Sequence, residues 1–197
     1  ALARADGQPM DAAMLEAAEK RCGSSKANGS LMRAVPLGIW GHRRSQEELA
    51  SWARQDSCLS HPNPSCCDAV AAYVLAVAHL VSHPGDHLGA FQRAWDWAEA
   101  QAVEEVRFWL REAKEEDNVP YTPLDGFVRI AFTHAFRHLR LNTPFLDALT
   151  ETLLGGGDTD TNGCIVGGLL GAAQGRGAIP EAMIRAVEGC DTNLGRH

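Results

Sequence analysis

The residues best suited to chemistry lie together in the segment Gly156-Gly157-Asp158-Thr159-Asp160-Thr161. Its carboxylates and hydroxyls come just before a glycine-studded stretch that is expected to be helical. The oxygens of Asp158, Asp160 and Thr161 suit Mg²⁺ or Mn²⁺ far better than zinc. The same residue types are ordinary helix caps, since they satisfy free N–H groups and the helix dipole, and spacing alone favours capping. Three side chains also fill only part of an octahedral metal site.

A second polar segment is Asn28-Gly29-Ser30-Leu31-Met32-Arg33, a turn that leads into a predicted helix. The N–H groups of a glycine turn at a helix start form an anion-binding nest. The side chains of Asn28 and Ser30 add hydrogen bonds suited to a phosphate or a ribose. A simple Asn-Gly turn with Ser30 as N-cap explains the same window, and the window taken alone favours that explanation.

A third feature is Ser60-His61-Pro62, which has a near copy at Ser82-His83-Pro84. A histidine before proline is held in extended backbone, so its imidazole points out of the end of a loop. Either copy taken singly is explained by a solvated loop histidine. The copies therefore indicate a site only in combination with other motifs.

Composition predicts one globular domain over residues 1–197. The chain is 45% hydrophobic and 22% charged, which is enough apolar material for a core. It has 18 basic and 25 acidic residues, and the basic ones are scattered, so we expect no nucleic-acid-binding patch. We also expect no membrane span, because no apolar run reaches the ~18–20 residues needed to cross a bilayer, and no targeting segment; a cytoplasmic location follows as the default.

The six cysteines lack both paired CxxC spacing and the density of a disulfide scaffold. They predict mostly buried thiols in a reducing compartment, and they do not indicate a zinc site.

Helical periodicity dominates the chain, and no alternating strand pattern stands out. Caps and prolines mark several helix starts: Ser45 with Glu48 as a capping box, Thr122-Pro123, Thr143-Pro144 and Ile179-Pro180. The predicted helices cover residues 11–21, 45–56, 64–80, 87–110 with a charged end at 111–117, 122–139, 145–154, the stretch after the acidic segment, and 179–188. The pattern predicts an all-α fold.

Glycines recur at every fourth position after the acidic segment, at Gly163, Gly167, Gly171 and Gly175. Each interior glycine costs a helix about 0.8–1 kcal/mol relative to alanine. We expect close backbone approach by neighbouring helices to compensate, which would put this helix at the centre of the bundle with Asp158, Asp160 and Thr161 at its N-terminal end.

Taken together, the motifs resemble the ADP-ribosylglycohydrolase family, which includes the dinitrogenase reductase activating glycohydrolases and the ADP-ribosyl-acceptor hydrolases. The matching segments follow in the family's order and approximate spacing, and they cover most of the chain from Ser24 onward. They are residues 28–33, 60–62, 126–128, 156–175 and a C-terminal tail at 190–196.

The resemblance implies a compact orthogonal multi-helix globule with a binuclear Mg²⁺ or Mn²⁺ centre at the base of an ADP-ribose cleft. It implies that Asp158, Asp160 and Thr161 are metal ligands and that the two aspartates are catalytic. It further implies that the ligand is bound by Asn28, Gly29, Ser30, His61, Gly126 and Phe127. The implied reaction is metal-dependent removal of ADP-ribose from a modified protein or small molecule. The acceptor stays open among arginine, serine, a nucleobase and O-acetyl-ADP-ribose.

The chain departs from the family pattern at its N-terminal end. The family's N-terminal acidic glycine motif and its threonine-aspartate-aspartate-threonine motif do not occur, and residues 1–27 hold only Asp6 and Asp11 as aspartates. We therefore expect this to be the C-terminal two thirds of a typical member, with half of the metal ligands elsewhere. A separate chain carrying the N-terminal segment is then an expected partner. The alternative is a catalytically degenerate member that binds ADP-ribose or is structural, as jellyfish lens relatives are.

Overall fold

The structure is a computed structural model that describes residues 10–115, 119–123 and 125–190. Within these ranges the chain forms α-helices and no sheet, which confirms the predicted all-α fold. The helices are α1 Met10–Cys22, α2 Val35–Gly41, α3 Gln46–Cys58, α4 Pro64–Ser82, α5 His87–Gln101, α6 Glu104–Glu115, α7 Val128–Leu141, α8 Phe145–Leu154, α9 Thr159–Gln174 and α10 Glu181–Glu188.

Local capping signals set several helix starts as predicted. The Ser45 hydroxyl accepts the Glu48 N–H at 3.2 Å, and the Glu48 carboxylate accepts the Ser45 N–H at 3.3 Å. This capping box satisfies two N–H groups that the first turn of α3 leaves free. Pro64 begins α4, where the Asn63 side chain accepts the Ser65 N–H. The predictions for α1, α3, α4, α8 and α10 agree with the structure to within a few residues.

The single long helix predicted over residues 87–110 is wrong, because the chain breaks between α5 and α6. Asp68, a buried carboxylate on α4, accepts the Val103 N–H at 2.7 Å, just ahead of α6. The same carboxylate accepts a hydrogen bond from Arg54 of α3 at 2.7 Å. At this break the Val103 N–H binds the buried Asp68 carboxylate, which also binds Arg54 of α3.

The predicted start of α7 at Thr122 is also wrong. Gly126 has a φ of 73°, which ends any helical course before α7 begins at Val128. The Val128 N–H instead donates to the carbonyl of Lys26 at 2.8 Å. The start of α7 is thus determined by pairing with a distant segment.

The predicted cap of α8 differs in a smaller way. Pro144 takes the N-cap position and offers no side-chain capping hydrogen bond. The Phe145 N–H donates to the side-chain oxygen of Gln174, the last residue of α9, at 2.9 Å. Gln174 therefore caps the helix start that Thr143 was predicted to cap.

The core is built around α4, in which every residue from 65 to 78 is buried. It packs against α2, α3, α5 and α9. By length and composition α4 could cross a membrane, so the expectation that no apolar run is long enough is wrong; 83% of its apolar window is buried inside the protein.

The cysteines are all free thiols, but only some are buried as predicted. Cys66 and Cys67 lie in the core of α4, whereas Cys164 and Cys190 are exposed. Burial raises the pKa of both core thiols to about 12, so they stay protonated.

The predicted reason for the glycine stripe of α9 is not what the structure shows. The nearest atom outside the helix would lie 3.7 Å from a Cβ added at Gly163 and 4.0 Å from a Cβ added at Gly171. Gly175 ends the helix with a φ of 74°. The tightest contact is at Gly168, beside the stripe. An added Cβ there would lie 2.7 Å from Val35 and 2.8 Å from the Tyr73 hydroxyl. Within the stripe only Gly167 is in tight contact with a neighbour, since a Cβ there would lie 3.3 Å from Leu149 of α8. The closest approach is therefore at Gly168, which faces α2 and α4.

This difference predicts opposite effects of two alanine substitutions in one helix. Gly168→Ala should lower the free energy of unfolding by about 1–3 kcal/mol, because the methyl group overpacks a filled contact. Gly171→Ala, the matched control, should raise it by about 0.5–1 kcal/mol through helix propensity. Urea denaturation of the two variants measures both changes, and equal effects would contradict the packing described.

Candidate functional site

The acidic segment forms a glycine turn that leads into α9. Gly156 and Gly157 have φ values of 81° and 71°, and Asp158 takes the N-cap position. The Asp158 side chain makes no capping hydrogen bond, whereas Asp160 Oδ1 accepts the Thr161 N–H at 2.9 Å. Helix capping thus accounts for Asp160 but leaves the Asp158 carboxylate to other partners.

The main partner of Asp158 is Asn28, 130 positions earlier in the chain. The Asn28 Nδ2 donates to Asp158 Oδ2 at 2.8 Å and lies 3.4 Å from the side-chain oxygen of Asn162, one turn along α9. Asn28 is only 5% exposed. The structure therefore brings together two motifs that the sequence places far apart.

Polar contacts control the charge of Asp158. Partial burial acts to raise its pKa, but polar interactions with Asn28, Thr161 and Asp160 outweigh burial and hold that pKa below its ordinary value. The carboxylate is therefore ionised at neutral pH, as a cation ligand must be.

A short backbone pairing adds the Gly126-Phe127 segment to the site. Ala27 and Phe127 form an isolated antiparallel bridge, and the Asn28 N–H donates to the Gly126 carbonyl at 2.9 Å. A Cβ at Gly126 would lie 3.4 Å from Asp158 Oδ2. The Phe127 ring packs edge-on against Trp109. The backbone of Gly126 and Phe127 is therefore the part of this segment that lies beside the acidic turn.

The Asn28–Ser30 turn is a short 3₁₀ helix supported from below by α3. The Ser57 hydroxyl lies 2.9 Å from the Ser30 hydroxyl and 3.1 Å from the His61 carbonyl. Ser30 is completely buried and is not the N-cap of α2, a position that Ala34 occupies. Its hydroxyl therefore holds the turn in place, and Gly29 is the partly exposed residue of the turn.

His61 lies directly against this turn. A Cβ at Gly29 would be 2.8 Å from the imidazole Cε1, so glycine is what allows the ring to approach. Burial, helped by the nearby Arg33 cation, lowers the pKa of His61 and keeps it neutral. The second His-Pro copy is not part of this group, since the His83 ring stacks on His79 at the end of α4.

Two residues that sequence reasoning did not assign also belong to the site. Asn162 lies buried one turn beyond Asp158, a spacing that could have indicated a shared helix face. Asp125 is exposed, and its Oδ1 lies 3.1 Å from the position that a Cβ at Gly157 would take. The C-terminal tail matched at residues 190–196 lies outside the described residues from position 191 onward.

The donor set fits a hard cation. Asp158 and Thr161 are partly exposed and Asp160 is exposed, so their oxygens are accessible from solvent. Carboxylate and hydroxyl oxygens, with no sulfur or imidazole among them, are the ligands that Mg²⁺ and Mn²⁺ prefer. The site therefore combines oxygens for a cation with a glycine turn and a neutral imidazole a short distance away.

Comparison with known proteins gives one consistent result. A family model described as ADP-ribosylglycohydrolase matches residues 1–195. A protein of Acanthamoeba polyphaga mimivirus that is named as an ADP-ribosyl glycohydrolase is 28% identical over an alignment 195 residues long, which covers 90% of this chain and 58% of that protein. A solved chain from an ADP-ribosylglycohydrolase-related protein complex has a TM-score of 0.71 and 22% identity, with 83% of this chain and 56% of that chain covered. This chain thus spans little more than half of each relative's length.

The contact between Asn28 and Asp158 predicts a measurable pKa change. Asn28→Ala removes the amide donor, so the pKa of Asp158 should rise in protein free of divalent cations. Carboxyl-carbon NMR titration measures that pKa. Gln92→Ala, which removes the amide facing Asp96 on α5, is the matched control and should leave Asp158 unchanged. An unaltered Asp158 pKa in Asn28→Ala would show that the hydrogen bond does not form in solution.

Proposed function

This chain belongs to the ADP-ribosylglycohydrolase family, and we propose that it forms part of a metal-dependent hydrolase that removes ADP-ribose from a modified acceptor. The observation that carries the proposal is the 2.8 Å hydrogen bond between Asn28 and Asp158. It joins the turn that the family resemblance assigns to ADP-ribose with the carboxylates that the resemblance assigns to the metal. Neither motif alone distinguishes a site from an ordinary turn or helix cap.

In this proposal Asp158, Asp160 and Thr161 would hold Mg²⁺ or Mn²⁺. When bound, such an ion supplies positive charge that orients hydroxyl groups and lowers the pKa of water. The Asn28 amide fixes the Asp158 carboxylate in its ionised form. A binuclear centre, as the resemblance implies, would need further carboxylates, and Asp125 is one that already lies against the acidic turn.

The Asn28–Ser30 turn would hold the diphosphate and ribose side of the substrate. The side chains of Asn28 and Ser30 are buried in contacts within the protein, so the contact of the turn with the substrate would come from the backbone N–H of the partly exposed Gly29. Arg33 lies close by, hydrogen-bonded to the Ser60 hydroxyl at 2.9 Å, and adds positive charge on this side. The diphosphate would be attracted to the Arg33 guanidinium, which also pairs with the Asp56 carboxylate at 3.4 Å.

The reacting bond would lie between the turn and the acidic segment. Cleavage of the C–N or C–O bond at the ribose C1 passes through a cationic sugar, which nearby carboxylates stabilise. The backbone of Gly126 and Phe127 would line the ribose, because a residue without a Cβ at 126 lets the chain pass close to Asp158. A neutral His61 beside Gly29 would complete the wall and can accept or donate a hydrogen bond there.

The test combines a binding and a turnover measurement on the same protein. Calorimetric titration with ADP-ribose should give heat in Mg²⁺ and none after chelation. Release of ADP-ribose from modified arginine and serine peptides should then be metal-dependent. Asp158→Asn should lower that release on the order of 100-fold or more, because one charged group at the reacting centre is lost. The control Asp96→Asn changes an exposed aspartate of α5 and should leave release unaltered.

The outcomes separate the possible functions. Full release by Asp158→Asn protein would refute the metal role of the acidic segment. Metal-dependent binding without release would identify an ADP-ribose-binding protein instead of an enzyme. The absence of both heat and release would refute the proposal that this chain carries the cation and ADP-ribose contacts.

A further inference from the structure

A second group of possible metal ligands lies where α7 packs against α8. His134 and His138 are four residues apart on one face of α7, and Glu151 approaches from α8. One donor atom from each of the three lies within 4.8 Å of the others. Among the described residues no other group of histidine, cysteine or carboxylate side chains is this compact. The acidic turn at Asp158 is therefore not the only place where an ion can be held.

The two histidines are buried, and most of their ring nitrogens lack a well-formed hydrogen bond within the described residues. His134 is 1% exposed and His138 is 0% exposed. In the described part of the chain neither ring nitrogen of His134 makes a hydrogen bond of good geometry, although a backbone contact with Val119 acts to raise its pKa, and Nε2 of His138 has no hydrogen-bond partner. Buried polar atoms without partners are costly and uncommon, so each calls for an explanation such as a bound ion.

Neighbouring side chains fix the orientation of both rings. The His138 Nδ1 lies 3.1 Å from the Thr143 hydroxyl, and the His138 Nε2 lies 3.8 Å from Glu151 Oε1. With Nδ1 donating to Thr143, Nε2 carries the free lone pair, as in histidines oriented for metal binding. The His134 ring stacks on Tyr121 with centroids 3.5 Å apart and an angle of 5°.

Both imidazoles are neutral, which is the form that binds metals. Burial is the main cause that lowers the pKa of His134 to about 3, and the neighbouring His138 and Arg137 add to it. Burial also lowers the pKa of His138, although the Glu151 carboxylate acts in the opposite direction.

We propose that His134, His138 and Glu151 form a binding site for a Zn²⁺ ion, distinct from the oxygen-lined site at Asp158. Two imidazole nitrogens and one carboxylate oxygen are a ligand set that zinc favours, and water can take the fourth position. This set is softer than the acidic turn, which offers oxygens only. His138 lies ten residues beyond Val128, which is roughly 15 Å along the helix from the end of α7 that meets the acidic turn.

Small side-chain movements complete the geometry. Ligand atoms about 2.0–2.1 Å from a tetrahedral zinc are roughly 3.3 Å from one another. The His138 and Glu151 atoms are already near that separation, and the Glu151 side chain is 44% exposed, so it can rotate. Arg137 donates to Glu151 Oε1 at 2.7 Å. Because a carboxylate has two oxygens, one can keep Arg137 while the other binds zinc.

The site would act as a clamp between α7 and α8. Tyr121, which stacks on His134, is also packed against Gly155 in the turn that leads to the acidic segment. An ion at this position would therefore tie together the helices on which the segment from Gly155 onward depends. Its expected role is structural support, with no part in bond cleavage.

The experiment is titration of the metal-stripped chain with Zn²⁺, followed by calorimetry and thermal unfolding. We expect one saturable site and a Tm higher by about 5–10 °C at a free zinc concentration roughly 100-fold above the Kd. His138→Gln and Glu151→Gln should each weaken zinc binding by more than about 100-fold, beyond the loss typical of residues that only support a ligand. Glu151→Gln changes a half-exposed residue, so it decides the matter if His138→Gln fails to fold.

The matched control is His79→Gln. His79 and His83 have the same four-residue spacing and lie beside a carboxylate, Asp86, but the Asp86 carboxylate and His79 already pair with each other at 2.7 Å. This control and Asp158→Asn should both bind zinc as the wild type does. The proposal is overturned if the wild type shows no saturable zinc binding, if Glu151→Gln binds zinc unchanged, or if either His79→Gln or Asp158→Asn abolishes binding.

Discussion

The candidate site depends on one hydrogen bond, from the buried amide of Asn28 to the carboxylate of Asp158. Loss of the Asp158 carboxylate would leave the buried Asn28 amide without its main partner, which is why the pair holds two distant segments together. The core supports this contact from behind. The Tyr73 hydroxyl of α4 donates to the Ile165 carbonyl of α9 at 2.7 Å, so the helix that begins with the acidic segment is fastened to the most buried helix.

Fold class and most helix positions could be predicted because their causes are local. A capping box such as Ser45 with Glu48, or a proline at a first helical turn, acts within four residues of chain. The break before α6 has its cause in Asp68 of α4, and the start of α7 in the carbonyl of Lys26. The starts of α6 and α7 are therefore determined by distant residues, and the local hydrophobic periodicity does not predict them.

Local motifs likewise indicated the residues proposed for the candidate site. The motif residues could be named, but their roles depend on burial that only packing determines: the Ser30 hydroxyl is enclosed by α3, and Asn162 joins the pair only through the turn of α9. The sequence pattern of His134 and His138 does not by itself indicate a site, because the third member of the group, Glu151, comes from another helix. The ring nitrogens that lack a well-formed hydrogen bond become visible only in three dimensions.

The central proposal is that the acidic segment is a cation site that adjoins the Asn28 turn. The most direct measurement is the anomalous signal of manganese in crystals of this chain soaked with Mn²⁺ and ADP-ribose. The account predicts a manganese peak in contact with oxygens of Asp158, Asp160 and Thr161, with density for the diphosphate against the Asn28–Ser30 turn. A well-ordered acidic segment without manganese, or ADP-ribose bound on another face, would contradict it.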